Sequence, residues 1–418
     1  MLSDIFIVDG YRTPFCKFGT DLADEETSHL GISPSKHLFT KTGVDPNVVD
    51  HVVFGCCNQP ATQIGNIARS IGVRSGVPEE VPAVTVHRNC ASGFEAITYA
   101  YDKAQSHKGD VFLVGGVESM SRAPFLYPYD TVKKFTKLAR SKTIGQKLGA
   151  LTQFRPNDFS PEISLKLALV DNLCGMGMGH TAELLAREYD ITRREQDEFA
   201  ENSHLKAMAA QACGRFEEEI APFYCTEDNC LRSYNDTVLL KDNGIRNDAD
   251  VNKLGRLRTV FDKKGTVTAG NASQVTDGGA ALLLMTEKGL SETNSVPLAR
   301  IVNYEYVGCD PKRMGLGPVH AIRKLIAPGS KVLDMMDLVE INEAFAAQVI
   351  ACQRHLKIPS EKLNVNGGSI ALGHPLAASG ARLVLGMAKE LRHRDLKHGI
   401  VSLCVGGGQG GALWIEKV

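Results

Sequence analysis

Two stretches of this 418-residue chain follow one plan, and that repetition constrains the fold more than any other feature. The first runs from "VPAVTV" through Ala91-Ser92-Gly93 into "FEAITYAYDKAQ", then into the apolar run "DVFLVGG". The second passes Ala378-Ser379-Gly380 into "ARLVLGMAKEL", then "GIVSLCVGGG". In the first copy Phe94, Ile97, Ala100, Tyr101 and Ala104 recur at helical spacing between β-rich runs, which predicts a strand–helix–strand unit. Both copies keep the order Ala-Ser-Gly, helix, basic residue plus Gly, buried strand, Gly-Gly. A repeated βαβ layer predicts an α/β protein of two similar halves packed face to face.

The halves are expected at 1–118 plus 266–294 and at 295–418. Between them, 119–265 reads as an insertion that begins with proline-rich "SRAPFLYPYD" and continues into polar helices. There Thr192 and Glu195 form a capping-box pattern at a helix start. Long insertions of this kind build lids, so this one is expected to cover a substrate.

Composition narrows the classes further. A net charge of -1 gives no ground for nucleic-acid binding by the whole surface. No apolar run approaches the ~20 residues that span a bilayer, so no transmembrane segment is expected. The start, "MLSDIFIVDG", lacks a basic region and reads as a first strand rather than a signal peptide. The end, "EKV", is not a peroxisomal address. Eleven cysteines without framework spacing point to free thiols in a reducing compartment, and the cytoplasm is expected.

Three residues carry the candidate chemistry. Cys90 falls at a strand-to-helix corner, where the positive end of the helix favours a thiolate and should lower its pKa. His374 stands in the equivalent turn of the second copy, before Pro375. Cys404 ends a strand ahead of a glycine run that leaves backbone N–H groups free. Each has a plainer reading: a small buried hydrophobe, a turn residue and strand core. Packed about a pseudo-twofold axis, however, both turns point into one cleft at the sheet ends. That cleft would hold a nucleophile, a base for its proton and a second thiol for acid/base work.

Other patterns carry less. Gly406 to Gly411 matches G-x-G-x-x-G, but with seven residues after it no helix is expected to receive a pyrophosphate. Cys225 and Cys230 have no second pair or histidine at suitable spacing, so no metal is expected. Cys56 and Cys57 read as packing.

Seven motifs in order, "NCASG", "GGVESMSRAP", "MGHTAELLA", "TAGNASQVTDGGAA", "EINEAF", "GGSIALGHPLAASGAR" and "CVGGGQG", make the chain resemble the thiolases, acetyl-CoA C-acyltransferases, over nearly its whole length. The segments "SKTIGQKLGALTQFRPNDF" and "KDNGIR" resemble the fatty-acid-oxidation-complex branch, the β subunits of trifunctional proteins. That branch often carries histidine where Asn342 stands, and "NASQ" and "GGGQG" depart from the commoner "NASG" and "GGGMG".

The resemblance implies duplicated βαβ domains in a layered α-β-α-β-α arrangement with an inserted loop domain. It implies thiolytic cleavage of 3-ketoacyl-CoA by CoA in β-oxidation, or the reverse condensation, through an acyl-Cys90 intermediate. Cys404 would protonate the acetyl-CoA enolate and deprotonate incoming CoA. His374 would activate Cys90, and Asn342 would hold a water beside it. The backbone N–H groups of Cys90 and Gly406 would form an oxyanion hole, with the glycine run keeping side chains off the thioester oxygen.

By the same resemblance Met178 and Met314 would flank the acyl pocket, while Ala269, Ser273, Ala344 and Phe345 would line the pantetheine tunnel. Arg256 and Arg258, in the basic stretch "NKLGRLRTVFDKKG", suit the phosphates of CoA, or form a solvated loop face. No cofactor is implied beyond CoA and acyl-CoA as substrates. A homodimer or homotetramer is implied, with a hydratase/dehydrogenase α subunit as a further partner. The rival readings are a ketoacyl synthase relative, which shares the fold but has histidine or asparagine in place of Cys404, and a non-catalytic acyl-CoA-binding subunit.

Overall fold

The structure is a computed structural model that describes residues 4–60, 65–225, 238–326 and 332–418. Nine strands build its main sheet path: β1 Ile5–Arg12, β2 His51–Gly55, β3 Ala83–Val86, β4 Val111–Glu118, β5 Thr276–Thr286, β6 Ala299–Gly308, β7 Leu338–Ile341, β8 His398–Val405 and β9 Gln409–Lys417. Their order is β7-β8-β9-β6-β1-β5-β4-β2-β3, and the short strand Cys16–Lys17 pairs with β5.

Read outward from the β6/β1 junction, the two sides match. On one side β1 pairs antiparallel with β5, β5 antiparallel with β4, and β4 parallel with β2. On the other β6 pairs antiparallel with β9, β9 antiparallel with β8, and β8 parallel with β7. Beyond β2 lies parallel β3, and beyond β7 a parallel bridge from Val339 to Leu363 stands in its place. The repeat in the sequence is therefore a repeat of topology. β1 and β6 meet through only three residue pairs, so the path divides there into two half-sheets.

The helices that matter for the site are α1 His29–Thr42, α2 Ile67–Arg74, α3 Ser92–Gln105, α4 Tyr129–Arg140, α5 Ile144–Leu151, α6 Met178–Glu188, α7 Arg193–Ala212, α8 Gly317–Leu325, α9 Ala346–Leu356 and α10 Leu376–His393. The repeat helices α3 and α10 pack against each other between the half-sheets, and α10 touches strands of both. Phe94, Ile97, Leu383 and Val384 form the core between them. Outside, α1 and α2 cover the first half and α8 and α9 the second, each over its own apolar cluster. The result is the α-β-α-β-α layering.

The duplicated Ala-Ser-Gly has a steric cause. A Cβ on Gly93 would lie 2.3 Å from the Ala377 carbonyl oxygen, and one on Gly380 2.6 Å from the Phe94 nitrogen. Glycine at the start of each repeat helix lets the two backbones approach until they touch. That contact draws both turns, and hence Cys90 and His374, to one place.

The insertion is anchored from below. Arg12 of β1 is fully buried and pairs with Glu219 at 2.7 Å and with both oxygens of Asp242 at 2.6 and 2.8 Å. The fork matches the carboxylate geometry and satisfies the desolvated charges. Thr192 caps α7 as its spacing predicts, accepting from the Glu195 N–H at 3.2 Å while Glu195 accepts from the Thr192 N–H at 2.8 Å. The glycine-rich end of the chain continues as strand β9, not as a nucleotide-binding helix.

Candidate active site

Cys90 occupies the turn between β3 and α3. Asn89 before it has φ 46°, a left-handed conformation that asparagine tolerates better than most residues. The Asn89 carbonyl accepts from Ser92 Oγ at 2.7 Å and from Cys57 Sγ at 3.0 Å, which holds the corner. Its side-chain amide donates to the Gly406 carbonyl at 2.8 Å, joining this turn to the loop after β8. The backbone N–H groups of Gly406 and of Cys90 itself hydrogen-bond to the Cys90 thiol. Those two donors converge on one sulfur from opposite halves of the molecule.

His374 is buried at 6% exposure, in the turn before α10. Its Nδ1 lies 2.6 Å from Ser379 Oγ, which in turn lies 3.3 Å from the Pro375 carbonyl oxygen. Its Nε2 lies 3.4 Å from Asn342 Nδ2, while Asn342 Oδ1 accepts from Ser369 Oγ at 2.6 Å. These contacts fix the hydrogens. Because Ser369 donates to Oδ1, Asn342 turns its amide N–H toward Nε2, which must then carry a lone pair. Nδ1 holds the proton and donates to Ser379, whose own hydrogen goes to Pro375. The network leaves His374 with a basic nitrogen at Nε2.

Cys404, at the end of β8, packs with Met314, Ala344, Phe345 and the partly buried Met178. Burial holds its thiol well above the ordinary range, and nearby Cys90 raises it further. Burial also pushes the Cys90 thiol up to about 11, against the pull of the two N–H donors. This reverses the expectation of a lowered pKa. Desolvation of a thiolate here outweighs a helix end whose first residue, Ser92, lies two positions away. His374 is pushed down to about 4, first by burial and then by the charge of Arg382. At neutral pH the resting cluster therefore carries no charge.

A cavity of about 350 Å³ opens beside His374, lined by Met120, Met178, Phe261, Ser273, Phe345 and Leu376 among others. Its walls are mainly apolar, as suits a flexible acyl or pantetheine chain. Met314 and Ala344 lie just behind them. Ala269 is exposed and does not line this cavity, and Arg256 and Arg258 are exposed on the loop leading to Phe261. Cys225 is partly buried, and Cys230 lies outside the described residues. Among the described residues no cluster of three or more His, Cys, Asp or Glu side chains could hold a metal ion.

The glycine run after Cys404 also has a cause in the fold itself. A Cβ on Gly406 meets only Met178 Sδ at 3.5 Å and Asn89 Nδ2 at 3.7 Å, ordinary contacts. Gly407 and Gly408 instead have φ of 90° and 75°, and a Cβ on Gly410 would strike the Gly317 carbonyl at 2.1 Å. The backbone turn at Gly407 and Gly408 and the packing of Gly410 against α8 by themselves require glycine at those positions.

Three residues here escaped the sequence reading. Asn89, Ser379 and Asp171, which accepts from the Gly407 N–H at 2.9 Å, orient the groups that were singled out. Only Asn89 had a legible signal, as an asparagine next to a corner cysteine. The other two are identified by what the fold brings near them.

Fold and site together define a class: an α/β enzyme of two duplicated halves, with two thiols and a neutral histidine gathered where the halves meet. The comparisons agree. Residues 5–288 match the family model for "Thiolase, N-terminal domain" and residues 295–417 that for "Thiolase, C-terminal domain". A "Probable acetyl-CoA acyltransferase" of Staphylococcus aureus (strain COL) is 39% identical over 416 residues, covering 100% of both chains. Among solved structures, the acetyl-CoA acetyltransferase of Bacillus anthracis superposes with a TM-score of 0.89 at 37% identity, covering 100% of this chain and 99% of that one. Human mitochondrial 3-ketoacyl-CoA thiolase in complex with CoA gives 0.87 at 38%, covering 100% and 98%. The chain belongs to the thiolase family, acyltransferases that cleave or condense acyl-CoA thioesters.

Proposed function

We propose that this thiolase works by ping-pong acyl transfer through Cys90, degrading 3-ketoacyl-CoA in β-oxidation. The Cys90 proton passes to His374 Nε2, and the thiolate adds to the 3-keto carbonyl. The bond between C2 and C3 breaks, its electron pair forming the enolate of acetyl-CoA, and the Cys404 thiol protonates C2. The Cys404 thiolate then takes the thiol proton of incoming CoA. The CoA thiolate so formed attacks acyl-Cys90 and releases the shortened acyl-CoA, and the expelled Cys90 thiolate recovers its proton from His374. A thiol suits the first role because exchange between thioesters is nearly balanced, so the acyl group is not stranded.

The observation that carries this reading is the convergence of the Gly406 and Cys90 N–H groups on the Cys90 thiol. Preorganised donors at that point stabilise developing oxyanion charge, each worth about 3 kcal/mol of barrier. A site neutral at rest fits too, since charge then appears only as substrate reacts. Asn342 would hold a water beside His374. Arg256 and Arg258 would meet the CoA phosphates, Met178 and Met314 the acyl group, and Ala269, Ser273, Ala344 and Phe345 the pantetheine arm.

The two halves would divide at 1–118 plus 266–294 and 295–418, with 119–265 as the covering insertion. CoA and acyl-CoA serve as substrates and no other cofactor is invoked. A homodimer or homotetramer in the cytoplasm is proposed, in the trifunctional β-subunit branch and so with a hydratase/dehydrogenase partner. No helix among the described residues is long and apolar enough to cross a membrane. The test is mass spectrometry after brief incubation with acetyl-CoA. The acetyl group is expected on the peptide containing Cys90, and its appearance on another cysteine would sink the assignment.

A further inference from the structure

Gln274 is the residue that separates "NASQ" from the commoner "NASG", and none of the steps above uses it. It stands two residues before β5, in the wall of the cavity beside His374. Its side-chain Nε2 donates toward three carbonyl oxygens: Gly244 at 3.0 Å, Ile370 at 2.9 Å and Ala371 at 3.3 Å. Three acceptors around one end of the amide identify that end as the nitrogen. The backbone oxygen of the same residue accepts the His374 N–H at 3.1 Å. Gln274 thus grips the chain both at His374 and just before it.

The backbone there needs such a partner. Ile370 and Ala371 belong to the short helix Ser369–Leu372, in which Ser369 meets the Gly373 N–H at 2.9 Å. The carbonyls of Ile370 and Ala371 would next meet the N–H groups of residues 374 and 375. The first is drawn instead to the Gln274 carbonyl, and the second does not exist, because Pro375 has no N–H. Gln274 Nε2 supplies both missing donors. The helix therefore stops at Gly373, with φ 103°, and His374 turns out of it. At its other end the same helix carries Ser369, which holds Asn342. One short segment sets both neighbours of the reactive nitrogen.

The third carbonyl ties that segment to the insertion. Asp242 holds the Arg12 fork and Asn243 accepts from the Lys17 N–H at 2.8 Å, so Gly244 beside them is a fixed point. A Cβ on Gly244 would lie 2.6 Å from the Ala371 carbonyl oxygen and 3.2 Å from Gln274 Nε2, so no side chain fits between the two. We infer that Gln274 is a positioning residue for His374, a strut from the anchored insertion that sets Nε2 for the Cys90 proton. This rests on His374 serving as the base, as in the function proposed above. A catalytic group displaced by ~1 Å can lose ~10²-fold in rate, so a strut of this kind is worth one to two powers of ten.

The test is the rate of Cys90 acetylation at saturating acetyl-CoA, read by rapid quench and mass spectrometry of the Cys90 peptide. Saturation removes effects on binding. His374→Ala should slow acetylation about 10²–10⁴-fold, the worth of a placed base. Gln274→Met keeps the bulk without the donors and should slow it about 10- to 100-fold. Gly244→Ala, which does not line the cavity, pushes the same helix from the other side and should also slow it. In the His374→Ala background Gln274→Met should add less than about twofold, since no base is left to place. Rates within about twofold of wild type for Gln274→Met, or for Gly244→Ala if the first variant does not fold, overturn the assignment. So does the full Gln274→Met loss repeated in the His374→Ala background, because the glutamine then acts on something else. If His374→Ala itself acetylates at the wild-type rate, the base is misassigned and the strut falls with it; if only the Gln274 and Gly244 variants are normal, the base stands and the strut alone fails.

Discussion

Substituting Ser379 tests the proton network most sharply, because its side chain touches neither the cavity nor the reacting sulfurs. Ser379 is fully buried, and its hydroxyl receives the Nδ1 proton of His374 at 2.6 Å. In Ser379→Ala the imidazole must either leave Nδ1–H unpaired, at a cost of about 1–3 kcal/mol, or move its proton to Nε2. The second escape removes the lone pair that accepts the Cys90 proton. A penalty of about 2 kcal/mol on the reactive tautomer corresponds to roughly thirtyfold in rate. In a thiolysis assay with acetoacetyl-CoA, kcat should therefore fall about 10- to 100-fold while KM for CoA changes little, since CoA gains no contact from Ser379. Ser379→Thr keeps the hydroxyl and should recover most of the rate, with some stability lost to the extra methyl. An alanine variant within about twofold of wild-type kcat would refute the tautomer assignment, whatever its melting temperature.

Three more outcomes follow from the same geometry. Cys404→Ser should still be acylated at Cys90 yet turn over about 10²–10⁴ times more slowly, read by pairing the mass label with steady-state rates. Burial lowers both His374 and His204 to about 4, so the unfolded chain binds protons that the native state refuses; stability is full above pH ~6.5 and is lost as pH falls toward 4. Each histidine should cost about 2 kcal/mol between pH 7 and 5 in urea unfolding, and His204→Gln should remove its share; a flat profile counts against both burials. Gly93→Ala, whose Cβ would collide with the Ala377 carbonyl, should destabilise by about 1–3 kcal/mol or more, and a melting temperature equal to wild type would show that the helices have room to separate.

The sequence by itself determined the plan of the molecule. Periodicity in "FEAITYAYDKAQ" and "ARLVLGMAKEL", bounded by β-rich runs, marked the helices α3 and α10 and their strands, because burial pattern is a local property of the chain. The doubled Ala-Ser-Gly announced two equivalent halves, and Cys90, His374 and Cys404 were legible because corners and strand ends are written in glycine, proline and small residues. Asn342 and Gly406 came from motif resemblance alone. What the chain could not declare is anything that depends on a neighbour far away in sequence. That Gly93 and Gly380 are the contact between the repeats, that Gly407 and Gly408 serve a backbone turn, and that Ser379 fixes the proton of His374 are facts of assembled packing. The Cys90 thiol shows the limit most clearly: a helix end read along the chain favours the thiolate, and only the closed fold, by removing water from around the sulfur, raises its pKa instead. Desolvation sums over every atom that surrounds a group, and those atoms are chosen by the tertiary structure.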